Sequence, residues 1–155
     1  MMSLTQKEKY LLEDQKSHEE LCIKKYNNYA AQAQDPQLKQ LFESHAKQEE
    51  QHLNTINQIL SGQVPSTNQQ QSNQSATYMQ TQSSAKSGMV NQNDSDLCTD
   101  LLSTEKYVSG TYDTAIFEFR DSNIRQALNH IQKEEQQHGE SIFNYMQSKG
   151  MYNPQ

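Results

Sequence analysis

The chain repeats itself, and the repeat limits what it can fold into. Displaced by 86 positions, Leu11 falls on Leu97, Tyr26 on Tyr112, Leu38 on Ile124, Phe42 on Leu128, Ile56 on Ile142 and Leu60 on Met146. Polar residues obey the same displacement: Glu19 falls on Glu105, Glu49 on Glu135 and His52 on His138. Each half is then one supersecondary unit that cannot bury its apolar face alone, so the two halves are expected to share a core.

Each half reads as two helices. Thr5-Gln6-Lys7-Glu8 has capping-box form and opens helix 1, which is expected to run to about Gln34. Asp35-Pro36 stops it and starts helix 2, with Asp as N-cap and Pro at the first helical position. Helix 2 runs to about Leu60, before Gly62. In the second half, Asp94 or Ser95 is expected to cap helix 3, and Asp121, at the position equivalent to Asp35, to cap helix 4, which ends near Ser148. Apolar residues recur every three or four positions on all four, as Leu12, Cys22, Tyr26 on helix 1 and Ile124, Leu128, Ile131, Ile142 on helix 4. Single stripes of this kind face a bundle core.

Only 32% of the 155 residues are apolar, against roughly 45–50%, glycine included, in an ordinary globular chain. Much of the deficit lies in Ser61–Ser95, roughly two-thirds Gln, Asn, Ser or Thr and without helix or strand periodicity. Such a stretch cannot bury enough apolar surface to offset its ordering entropy. It reads as a disorder-prone crossover. Helices of this length span roughly 40 Å, which about a dozen extended residues can cover. The expectation is one all-α domain over 1–155: a helical hairpin over 5–60, a long polar linker over 61–95 and a second hairpin over 96–148, together a four-helix bundle.

Several function classes are excluded. Thirteen Lys+Arg against 19 Asp+Glu leave a net charge of −6, which argues against a nucleic-acid backbone as the main partner. No run approaches the roughly 18 apolar residues of a membrane span. Met1 to Glu8 contain no apolar signal segment, so cytoplasmic synthesis is expected. Cys22 and Cys98 form no CxxC pair, which excludes a rubredoxin-type or zinc-ribbon site. They are expected as free, buried thiols, with a disulfide between them left open.

Six polar residues stand on the core stripes where a bundle wants apolar ones: Glu19, Glu49, His52, Glu105, Glu135 and His138. Glu-x-x-His puts both side chains on one helix face. One such motif on a Glu-rich helix is a frequent accident. Two copies related by a repeat, each with a matching Glu on the preceding helix, are a far more specific signal. One Glu from each of two helices plus Glu-x-x-His from each of the others is the donor set of dinuclear carboxylate sites in ferritin-like bundles. Four carboxylates offset the mutual repulsion of two divalent cations, some can bridge both, and one imidazole per metal suits iron or manganese. A relic site, hydrated or internally hydrogen-bonded, is the bland alternative.

Other polar residues read differently. His45 lies one turn before Glu49, but its repeat partner is Ile131, so it is expected beside the site rather than as a ligand. Glu50 and Glu134 fall off the stripes and read as solvated charge, and His18 and His130 as solvent or flank positions. Tyr26 and Tyr112 read as core residues with a hydroxyl handle. Gly139, beside His138, either leaves space near the site or is merely tolerated.

Residues 97–152 resemble the coat F family of spore coat proteins. The resemblance is carried by Asp100-Leu101-Leu102, Glu105-Lys106-Tyr107, Tyr112, Ile124-Arg125, Glu134-Glu135, His138, Ile142, Met146 and the ending Lys149-Gly150-Met151-Tyr152. The first half enters it only through the internal repeat. The resemblance implies a ferritin-like four-helix bundle, a location in the spore coat, and other coat proteins or further copies of the chain as partners. Rubrerythrin-like proteins and manganese catalases of the wider superfamily share the six-ligand arrangement. This chain lacks the cysteines of a rubredoxin domain and the extra regions of manganese catalases. Two roles follow as expectations. One is a coat component carrying a dinuclear iron or manganese site. The other is a dinuclear oxidoreductase, scavenging oxygen or peroxide or oxidising ferrous iron, with no structural part in the coat.

Overall fold

The computed structural model describes residues 3–66 and 90–155. Four helices account for most of them: α1 (Gln6–Gln32), α2 (Pro36–Leu60), α3 (Gln92–Glu118) and α4 (Ser122–Ser148), with no strand among the described residues. Of the polar stretch expected over 61–95, residues 67–89 lie outside the described residues.

Local chemistry sets the helix ends. Thr5 and Glu8 form the capping box: Glu8 N–H donates to Thr5 Oγ1 at 3.1 Å, and Thr5 N–H to Glu8 Oε2 at 2.7 Å. Asp35 accepts from Gln37 N–H ahead of Pro36, and Asp121 accepts from Asn123 and Ile124 N–H. At the far end of α4, Gly150 adopts φ 71°, which turns the chain back so that Met151 N–H reaches the Met146 carbonyl at 2.8 Å.

The start of α3 differs from expectation. Its N-cap is Asn91, not Asp94 or Ser95, so the helix begins at Gln92. Asp94 is only 1% exposed and is engaged elsewhere: its two carboxylate oxygens accept Gln34 N–H and Asp35 N–H, each at 2.9 Å, at the turn between α1 and α2. The repeat-equivalent acid does the same for the other half. Glu8 Oε1 accepts Arg120 N–H at 3.1 Å between α3 and α4, and both its oxygens accept from the Arg120 guanidinium. Each half thus closes the helix–helix turn of the other with one buried acid.

α1 packs on α2 and α3 on α4, with further contacts between α1 and α3 and between α2 and α4. The apolar core falls into two clusters. The first joins the start of α1 (Leu12), the end of α2 (Ile56, Ile59), the end of α3 (Tyr112, Phe119) and the start of α4 (Ile124, Leu128). The second joins the end of α1 (Tyr26, Ala30), the start of α2 (Leu38, Phe42), the start of α3 (Leu97, Leu101) and the end of α4 (Ile142, Met146). None of the six candidate ligands belongs to either cluster. Cys22 and Cys98 are both buried and free. Among the described residues no helix is long and apolar enough to cross a membrane.

Candidate metal centre

All six sequence-predicted site residues are buried, none more than 2% exposed. The fold brings them into two overlapping quartets. Glu19, Glu49, His52 and Glu135 each offer one ligand atom, all within 4.8 Å of one another, and so do Glu49, Glu105, Glu135 and His138. Glu49 and Glu135 belong to both. The spacing follows from the helices: Glu49 and His52, or Glu135 and His138, are three residues apart on one face, and α1 and α3 supply Glu19 and Glu105.

The imidazoles cross over. His52 Nδ1 on α2 lies 3.0 Å from Glu135 Oε1 on α4, and His138 Nδ1 on α4 lies 2.9 Å from Glu49 Oε1 on α2. The outer nitrogens are held too. His138 Nε2 meets Gln48 Oε1 at 2.5 Å, and His52 Nε2 meets Glu134 Oε1 at 3.3 Å. Gln48 Nε2 donates in turn to Glu134 Oε2 at 2.9 Å, so these two residues tie the imidazoles together from behind. With Nε2–H donated outward, each Nδ1 faces the carboxylates, where it carries a proton or, once that proton leaves, offers its lone pair.

The tyrosines cross as well. Tyr112 donates from its hydroxyl to Glu19 Oε1 at 2.5 Å, and Tyr26 to Glu105 Oε1 at 2.5 Å. Burial first, and then the surrounding carboxylates, push both phenols well above the ordinary tyrosine range, which keeps them as donors. The same two effects push the Cys22 thiol upward, so it stays protonated.

The electrostatics are compatible with bound positive charge. Burial, followed by the Glu19 carboxylate, pushes Glu49 up to about 7. Burial and the neighbouring Glu135 raise Glu105. Burial also opposes charge on Glu135 and on both imidazoles. Hydrogen bonds from Glu105, His138 and His52 nevertheless hold Glu135 low, and the carboxylates hold His52 and His138 well above the ordinary histidine range. Protons therefore do within this cluster what divalent cations would do, and metal binding would release them. Glu19 Oε2, Glu105 Oε2 and Glu135 Oε2 are buried with no hydrogen-bond partner. Buried carboxylate oxygens of this kind are costly unless a proton shared with a neighbouring carboxyl or a cation takes their lone pairs. The cluster is compatible with a metal site in distance, donor type and charge.

Gln48 and Glu134 were not legible as site residues: Glu134 reads as solvated charge in the sequence but contacts His52 behind the site. A signal was present, since the two are repeat-equivalent and each lies one turn before a site histidine. His45 sits beside the cluster rather than in it. Its ring stacks on His138 at 4.1 Å between centroids, meets Tyr26 edge-on at 5.1 Å, and its Nδ1 has no hydrogen-bond partner. Glu50 is exposed, and His130 pairs with Glu134 at 2.7 Å on the flank.

Residues 93–155 match the Coat F domain, in line with the resemblance carried by the second half of the sequence. No curated protein and no solved structure matched the chain.

Proposed function

Proceeding from the Coat F domain of its second half, we propose that this chain is a spore coat-associated, ferritin-like protein holding a dinuclear iron or manganese site. The observation that carries the metal reading is the pair of quartets that share Glu49 and Glu135. On this reading Glu19 and His52 would hold one metal, Glu105 and His138 the other, and Glu49 and Glu135, common to both quartets, would serve both. Two adjacent redox-active ions supply chemistry toward oxygen or peroxide. The protein's own part is positioning. Tyr112 and Tyr26 fix one oxygen each of Glu19 and Glu105. Gln48 and Glu134 fix the imidazole rings. The two apolar clusters close the layer off from either end.

The ferritin-like reading includes two helical hairpins joined by a crossover. It is supported by where the chain leaves and re-enters the core. The end of α2 packs in one apolar cluster and the start of α3 in the other, so the segment between them has the length of the bundle to cover.

Metal analysis of anaerobically reconstituted protein tests the site. About two equivalents of iron or manganese per chain are expected; well under one equivalent, unchanged by reconstitution, would sink it. Fractionation of purified spores tests the location, and absence of the chain from the coat fraction counts against it. The complete donor set also favours a second reading, a dinuclear oxidoreductase without a coat-structural role. Spores of a deletion strain with an unaltered coat but raised peroxide sensitivity would select it.

A further inference from the structure

A groove of about 550 Å³ runs between α3 and α4. Its walls include Leu102, Gly139, Phe143 and Tyr152, and it reaches Glu105, whose second carboxylate oxygen is buried without a partner. Tyr152 borders it because the turn at Gly150 brings its ring edge-on to Phe143, 5.2 Å between centroids.

Gly139 is not required by the fold. It lies inside α4, outside the two glycines with positive φ, and a Cβ there would meet only Leu102 Cδ1 at an ordinary 3.8 Å. A glycine in a helix interior costs about 1 kcal/mol relative to alanine, so this one is a net loss to the helix. What it provides is room beside His138. In the other half of the repeat Leu53 stands in the position equivalent to Gly139, and Lys16 and Asn57 in those of Leu102 and Phe143.

We propose that the α3–α4 groove is the entrance by which a small uncharged molecule, of the class of dioxygen or hydrogen peroxide, reaches the metal pair at Glu105. The inference rests on the dinuclear reading above. Between the rim and Glu105 the uncharged polar residues of the lining are Ser109 and Gln136, and the rest is largely apolar, so a charged ligand finds little to replace its hydration. Lys106 and Glu140, both exposed at the rim, are of opposite sign. Inside, four carboxylates would offset the charge of two divalent cations, so the loaded site has no net charge to draw an ion through the groove.

Two arms test it on the full-length chain. In the first, ferrous-loaded protein is mixed with nitric oxide, an uncharged diatomic probe, and the association rate is followed spectroscopically. Gly139→Leu, which places a side chain in the groove, is expected to slow association by about tenfold or more. Gly139→Ala, which adds only the tolerated Cβ, should stay within about twofold of wild type while raising helix stability. Equal rates in all three, with iron retained, overturn the entrance and leave the metal site standing. Failure of the wild type to retain iron overturns the dinuclear reading and the entrance with it. In the second arm, xenon is titrated into metal-free protein and the Leu102 methyl resonances are followed, since xenon occupies apolar cavities. Saturable shifts in wild type, lost in Gly139→Leu, support the groove as a site for uncharged ligands. No shift in wild type, as when another part of the chain or a second copy fills the groove, overturns it whatever the metal content.

Discussion

Tyr26 on α1 donates its hydroxyl proton to Glu105 on α3 at 2.5 Å, and 86 positions later Tyr112 returns the same bond to Glu19. The repeat of the sequence is thus realised as a crossed pair, each half holding a carboxylate of the other. Tyr26→Phe keeps the ring but leaves Glu105 without its donor. Loss of such an orienting partner typically lowers metal affinity by about 10–100-fold, which chelator competition against the wild type will show. In the metal-free protein the same change should cost about 1–3 kcal/mol, because it strands a buried acceptor. Unchanged affinity would mean that Glu105 is held without Tyr26.

Replacing Glu49 should have opposite effects with and without metal. Burial and Glu19 hold its carboxyl at about 7, above the ordinary 4.5. A raised carboxyl binds more protons folded than unfolded, so its contribution is fully present below pH about 4.5 and is lost as pH rises through about 7. Metal-free wild type should therefore weaken over that window, and Glu49→Gln should weaken less, since Glu105, also raised, still titrates there. At pH 7.5 without metal the variant is expected to equal or exceed the wild type, by up to about 1–3 kcal/mol, since a desolvated charge has been removed. With iron or manganese present the order should reverse, because a carboxylate shared by both quartets is gone and ligand stabilisation falls with it. Denaturant titrations of both proteins, with metal and with chelator, read all four values.

The helices and the six buried polar positions were legible for one reason: both are written in periodicity. A Glu at position 19, between Leu12, Cys22 and Tyr26 on one stripe, has nowhere to point but inward, and Glu105 repeats the statement. The cap residues Thr5, Asp35 and Asp121 act within three residues of themselves and could be read directly. Contacts made across the bundle were not legible. Asp94 looks like a helix cap because it stands near a helix start, yet its partners lie about sixty residues away at Gln34 and Asp35. Glu134 sits one place before Glu135 and has the same side chain. The positions of His52 and Gln48 on another helix draw it toward the site.

Asp94→Ala tests one of the two buried acids that close the turns. It removes the acceptor of both Gln34 N–H and Asp35 N–H while leaving the Asn91 cap of α3 in place. Two unserved amides predict a loss of about 1–3 kcal/mol. The damage should be local before it is global: hydrogen exchange at Gln34 and Asp35 should accelerate by more than at Arg120, whose amide is held by Glu8. Uniform acceleration at both turns would mean that the two ends of the bundle open together.

Glu8, the equivalent acid, supplies the pH signature. It is 3% exposed, and burial opposes its charge, but the Arg120 guanidinium and the N–H groups of Thr5 and Arg120 outweigh burial and hold its carboxyl at about 2. A carboxyl lowered on folding binds fewer protons folded than unfolded. Its stabilising contribution is therefore present above pH about 4.5 and is lost as pH falls toward 2. Glu8→Gln should cost about 1 kcal/mol near neutrality, at the low end for a charge-assisted bond because the guanidinium is exposed and screened. The gap between variant and wild type should then narrow steadily from pH 5 to pH 2 and shrink at high salt. A gap that keeps its size at pH 2 would show that Glu8 acts through packing rather than through charge.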